Sequence, residues 1–183
     1  PMKLVILDGS SLVYRAFFAL PPLNTADGTP TNAVYGFTTM LLKLLEEEQP
    51  DVLLLALEGG KTFRHTEFPE YKAHRPRTPD ELVVQWPLMR EMAEAFRVPV
   101  LQVQGYEADD VIGTLAVKAQ AEGHEVLVVS GDLDVLQLVR PHLKVLVNRR
   151  GVSDTQLYDE DAVAERFSLT PAMLPDFKAL KGD

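Results

Sequence analysis

Carboxylates gather at a few places in this chain, each just after a short apolar run. Asp8 follows Met2–Leu7, Glu58 follows Val52–Leu57, and Glu107, Asp109 and Asp110 come shortly after Val98–Val103. Asp132 and Asp134 follow Glu125–Ser130. Acidic residues are favoured at helix N-termini by about 0.3–1 kcal/mol each, which accounts for any one of them. It does not account for the set, because like charges held close together raise one another's pKa unless a cation neutralises them. Oxygen-only donors point to Mg²⁺ or Mn²⁺, and a set this large points to two ions. Two such ions about 4 Å apart stabilise the attacking and leaving oxygens of an in-line phosphoryl displacement. The implied reaction is phosphodiester hydrolysis, with Asp183 at the C-terminal end as a further candidate ligand.

The runs that precede these acids, together with Leu143–Val147, are short, β-rich and nearly continuous, as in strands buried on both faces of a parallel sheet. Helical spacing fills the gaps. Val34, Phe37, Met40, Leu41, Leu44 and Leu45 recur at threes and fours, in a helix starting at Thr31 or Asn32 and ending near Glu46–Glu48 and Pro50. Further helices are expected at Ser10–Leu20, Asp80–Phe96, Ala108–Glu122, Asp132–Val139, Asp159–Phe167 and Pro171–Leu180. The alternation predicts an α/β fold, a mainly parallel twisted sheet with helices on both faces, as one domain over 1–183. In such sheets ligands bind beyond the carboxyl ends of the strands, where these acids fall.

With 183 residues, 46% hydrophobic and 25% charged, the chain can bury a sizeable core, which excludes a disordered or rod-like protein. No apolar run approaches the roughly 20 residues of a membrane span, so no membrane partner is expected. Having 0 cysteines excludes disulfides, thiolate zinc sites and a cysteine nucleophile. A cytoplasmic monomer is the expectation. The net charge of −9 argues at first against a nucleic-acid partner. Setting the candidate ligands aside, however, leaves the rest of the surface nearly neutral. Lys61–Thr78 is basic, with Phe68 and Tyr71 interleaved. It suits a solvated loop or a phosphate backbone with bases stacked alongside. Ser10 and Ser11 lack a histidine in triad context and suit helix capping or phosphate contact.

Seven segments then carry a resemblance: Leu7-Asp8-Gly9-Ser10-Ser11, Tyr14-Arg15-Ala16-Phe17, Asn32-Ala33-Val34-Tyr35-Gly36-Phe37, Thr62-Phe63-Arg64-His65, Tyr71-Lys72-Ala73-His74-Arg75, Tyr106-Glu107-Ala108-Asp109-Asp110 and Gly131-Asp132-Leu133-Asp134. In this order they resemble the 5′-nuclease domain of bacterial DNA polymerase I, within the flap endonuclease family and its PIN-like fold. The resemblance implies a divalent-metal-dependent 5′-3′ exonuclease and flap endonuclease, acting on DNA with a 5′ flap or 5′ end and on RNA-DNA primers. Products would carry 5′-phosphate and 3′-hydroxyl ends, and a bacterial source would place the protein at the nucleoid. Asp8, Glu107, Asp109, Asp110, Asp132 and Asp134 fall on its metal-ligand positions. Lys72 and Arg75 match a basic pair contacting the scissile phosphate, with Arg64 as a neighbouring phosphate contact. Tyr14, Arg15 and Tyr71 match substrate-binding positions.

Three departures stand out. Leu57-Glu58 replaces the usual Phe-Asp, although Glu58 can still reach a metal, and Leu133 replaces a basic residue between the aspartates. The family's Ser-Asp-Asn-x-Pro-Gly element and the helix–three-turn–helix duplex clamp do not follow Asp183. A fold that keeps the core but binds metal or single strands without cutting is therefore the alternative. A toxin-type ribonuclease is a weaker third, disfavoured by Tyr71-Lys72-Ala73-His74-Arg75.

Overall fold

The computed structural model describes residues 1–182; Asp183 lies outside the described residues. Six strands form one sheet: β1 (Lys3–Asp8), β2 (Val52–Ala56), β3 (Val100–Leu101), β4 (Glu125–Ser130), β5 (Leu143–Arg150) and β6 (Asp154–Tyr158). Their order is β3-β2-β1-β4-β5-β6, with every neighbouring pair parallel except β5–β6. The chain builds outward from β1 to β3 on one side, then returns to start β4 on the other. The adjacent carboxyl ends of β1 and β4 thus form the switch point where open α/β sheets bind ligands.

Period-two alternation decides which helices cover which face. Val5 and Leu7 of β1 and Leu127 and Val129 of β4 meet α1 (Gly9–Ala19), α2 (Asn32–Glu48) and α5 (Trp86–Ala95). Ile6, Val126 and Val128 point the other way, toward α6 (Ala108–Ala121) and α7 (Glu160–Phe167). Short helices α3 (Phe63–Glu67) and α4 (Asp80–Val83) lie before α5, and α8 (Leu174–Lys181) closes the described chain. Among the described residues no helix is long and apolar enough to cross a membrane.

Several sequence expectations are corrected. The helix expected over Asp80–Phe96 is two pieces, α4 and α5, because Pro87 in the first turn of α5 has no N–H and its ring blocks continuation from the preceding turn. The strand expected over Val98–Val103 shrinks to Val100–Leu101, an edge strand preceded by Pro99, which cannot donate to a ladder. Asp132–Val139 forms a 3₁₀ helix over Leu133–Leu138 rather than an α-helix. Strand β6 was not expected; its half-polar Asp-Thr-Gln-Leu-Tyr pairs antiparallel to β5 through a hairpin turned at Gly151, φ +59°. Asp8, rather than Ser10 or Ser11, caps α1 by accepting from the Ser11 N–H.

One buried polar contact fixes the α2 start. Gln85 is fully buried; its Oε1 accepts from the Ala33 and Val34 N–H groups at 2.8 and 3.1 Å. Its Nε2 donates to Asn32 Oδ1 and to the Glu81 carbonyl, both at 2.9 Å. Gln85→Leu strands these groups without water, and a loss of roughly 1–3 kcal/mol is expected in chemical denaturation. An unchanged midpoint would show that α2 needs no such cap.

Candidate active site

The carboxyl ends of β1, β2 and β4 open onto a cleft of about 1130 Å³. Asp8, Glu58, Glu107, Asp109, Asp132 and Asp134 line it, facing Tyr71, Lys72 and Arg75. Asp8 ends β1 and is 3% exposed. Burial pushes its carboxyl above the usual range, opposed by hydrogen bonds from Ser130 and Ser11. Ser130 Oγ donates to Asp8 Oδ2 at 2.7 Å and accepts from the Asp132 N–H at 3.0 Å, so one buried hydroxyl holds two candidate ligands in register. No feature of the sequence reading singled out Ser130; its place on the last residue of β4, beside the Asp132 strand end, is the signal that could have.

The acids at the start of α6 both cap and face outward. Glu107 is the N-cap, and its box with Asp110 is closed by the Glu107 N–H donating to Asp110 Oδ2 at 3.0 Å. Asp110 does not line the cleft; Arg64 grips it with two hydrogen bonds, at 2.7 and 2.8 Å. That pairing holds the Asp110 carboxyl below the usual range, against a smaller opposing effect of burial. Lys72 Nζ lies 2.7 Å from Glu107 Oε1, and Lys178 is ion-paired with Asp134. Burial alone would lower the Lys72 ammonium, but Glu107 overrides it and holds it above its ordinary value.

Asp8, Asp109 and Asp132 have no cationic partner among the described residues. Asp109 is exposed as a residue, yet many protein atoms crowd its carboxyl. That desolvation, with Asp8, Asp132, Glu58 and Glu107 nearby, pushes it up to about 7. Burial likewise raises Glu58, whose Oε2 accepts from the Ala108 N–H at 3.2 Å and so helps cap α6. Leu133 packs against the α6 side of the core instead of presenting a charge.

Excess negative charge and an all-oxygen donor set fit a hard divalent cation. The donors are spread around the cleft: among the described residues, no group of three or more His, Cys, Asp or Glu is gathered closely enough to hold one ion. The expected ligand Asp183 lies outside the described residues.

The basic segment is anchored to the strand ends. The Phe63 N–H donates to the Gly105 carbonyl at 3.1 Å, and the Phe63 ring packs on Tyr106 with centroids 5.7 Å apart. Lys72 adopts φ +56°, uncommon for a residue with a side chain, where its ammonium reaches Glu107 and lies 5.0 Å from the Tyr71 ring centre. Tyr14 lines the cleft, but Arg15 turns away, its guanidinium on the carbonyls of Gly131 and Arg149.

The family model for the 5′-3′ exonuclease, N-terminal resolvase-like domain, matches residues 3–168. The chain belongs to this family. Over 182 residues it is 53% identical to DNA polymerase I of Bacillus caldotenax, covering 99% of this chain and 21% of that protein. It is 49% identical over 183 residues to DNA polymerase I of Mycobacterium tuberculosis, covering 98% of this chain and 20% of the relative. The chain thus spans about a fifth of the length of these relatives. Among solved structures, T5 D15 protein co-crystallised with metal ions superposes with a TM-score of 0.71 at 21% identity, covering 99% of this chain and 66% of that one. Human GEN1 in complex with Holliday junction DNA superposes at 0.59 and 15% identity, covering 98% and 44%. These likenesses establish the fold. Within this exonuclease family fold, the switch-point cleft and the strand-end acids of the present chain coincide.

Proposed function

We propose that this chain is the catalytic core of a divalent-metal-dependent 5′-3′ exonuclease and structure-specific flap endonuclease. Its substrates are DNA with a 5′ flap or 5′ end and RNA-DNA primers, cut to 5′-phosphate and 3′-hydroxyl ends. The observation that carries this reading is the cleft in which strand-end carboxylates face Lys72, Arg75 and Tyr71. Support comes from neighbours of the same fold: a T5 5′-exonuclease with zinc bound, a T5 D15 flap endonuclease with DNA and metal ions, and Rad2 with a DNA substrate.

Asp8, Glu58, Asp109 and Asp132 would have to draw together to hold Mg²⁺ or Mn²⁺ as two ions, joined by Glu107, Asp110 and Asp134 once freed from Lys72, Arg64 and Lys178. Bound there, the ions supply charge stabilisation to a phosphoryl group and activate water. The chain's own groups supply the rest. Lys72 and Arg75 neutralise the phosphate at the cleft mouth, Arg64 stands next to them, and Tyr71 offers a ring for a base.

The test is single-turnover cleavage of a 5′-labelled flap duplex with protein in excess, so that the rate read is that of bound substrate. Ion-dependent cutting near the junction is expected. A folded protein that cuts at no concentration of Mg²⁺ or Mn²⁺ would instead be the non-catalytic fold, held by its Lys72–Glu107 and Arg64–Asp110 pairs.

A further inference from the structure

A second cavity, of about 520 Å³, opens between α1 and the tip of the β5–β6 hairpin. Its walls include Tyr14, Arg15, Phe18, Arg149 and Arg150, and it shares Ser11 and Tyr14 with the carboxylate cleft, so the two cavities have a common wall. In a chain of net charge −9, this is a place where three guanidinium groups collect around a single ion-paired carboxylate, Asp154. Arg15 donates to two neutral carbonyls, Arg149 at 2.6 Å and Gly131 at 2.7 Å, which orient its charge without cancelling it. Arg150 is exposed and has no acidic partner among the described residues. Arg149 pairs with Asp154 at 2.9 Å, but both side chains are nearly half exposed, so solvent screens the pair.

The backbone holds these groups in place. A Cβ on Gly131 would fall 2.8 Å from Arg15 Cγ, so only glycine lets the Arg15 side chain cross the loop that carries Asp132. The ladder slips between Asn148 and Arg150, a bulge of the kind that re-aims side chains at a strand end. Beside the guanidiniums, Phe18 is 70% exposed and lies near-parallel to Tyr14, with centroids 6.4 Å apart and planes at 27°. Cations bordering an open aromatic face match the alternating phosphate and base of a nucleic-acid strand.

We propose that this notch is a second nucleic-acid subsite, in which Arg15, Arg149 and Arg150 take phosphates and Phe18 stacks a base of the strand on the Arg15 side of the cleft. It rests on the nuclease reading and extends the substrate footprint beyond the scissile phosphate. The test is anisotropy of a labelled 5′-flap duplex in EDTA, titrated with this chain between 50 and 200 mM salt. Removing one phosphate-binding cation should reduce the slope of log affinity against log salt by about 0.9. Arg150→Ala is expected to show that reduction, and Arg150→Glu a larger one. Phe18→Ala should weaken binding about five- to a hundredfold, with its salt slope unchanged. Lys144→Ala, at the other end of β5, should match the wild type, and melting curves should show all variants folded. An unaltered slope in Arg150→Ala together with unaltered affinity in Phe18→Ala would overturn the subsite while leaving the nuclease reading standing. A wild type that cuts the flap in Mg²⁺ but shows no salt-dependent binding would also overturn it, whereas one that neither binds nor cuts removes both.

Discussion

Asp132→Asn is expected to cost at least a hundredfold in single-turnover flap cleavage while leaving the fold intact. Asp132 performs two separable jobs. Its Oδ1 accepts from the Asp134 N–H at 2.9 Å, capping the 3₁₀ turn that follows β4. An asparagine oxygen does the same, and Asn is as good an N-cap as Asp. The Ser130 hydroxyl still receives the residue's N–H, because that bond belongs to the backbone. Only the negative charge goes, and it is one of the charges the cleft leaves without a cationic partner. Removing one electrostatic contributor from a pre-organised site commonly costs about 10²–10³ in rate. Asp110→Asn is a less clean test, because it also takes from Arg64 one of its two acceptors and the charge that pairs with it. The measurement is the cleavage rate in Mg²⁺ beside a thermal melt. Wild-type cleavage by a folded Asp132→Asn would sink the ion-dependent reading of this cleft.

Most of the site's position was legible because it depends on strand ends. Nearly continuous apolar runs identify buried parallel strands, and the residue after each run must emerge at the carboxyl edge, which is where Asp8, Glu58 and Asp132 are found. Harder to read was anything set by contacts distant in sequence. Nothing local announces that Arg64 will cover Asp110, or that Lys178 will reach Asp134 from α8. Strand β6 escaped because it is half polar and draws its definition from pairing with β5. Gln85 looked like one more polar residue in a helix. It became a buried cap only once Pro87 had broken that helix and turned it toward α2. At Glu107 capping and cleft lining coincide, since the residue starts α6 and faces the cleft at once.

Mg²⁺ or Mn²⁺ is expected to raise the melting temperature, and more at pH 8 than at pH 6. A ligand that binds only the folded state adds about 2.7 kcal/mol at a hundred times its Kd, or roughly 5–10 °C for a chain of this size. The pH dependence follows from Asp109, whose carboxyl is pushed up from 3.8 to about 7 by desolvation and by the surrounding acids. An acid raised on folding binds more protons in the native state. Its contribution to the metal-free fold is therefore greatest below about pH 4 and is lost as pH rises toward 7. Solvent access to the residue softens the loss without changing its sign. A cation competes with that proton, so the ion-induced shift must grow across the same interval. Asp109→Asn removes the titrating group: the metal-free variant should melt above the wild type at pH 8, and its ion-induced shift should be smaller and flatter with pH. Thermal melts at pH 6 and 8, with and without ion, separate the cases. A cleft whose stability ignores divalent cations at both pH values would leave Asp8, Asp109 and Asp132 as mutually repelling acids with no role in binding metal.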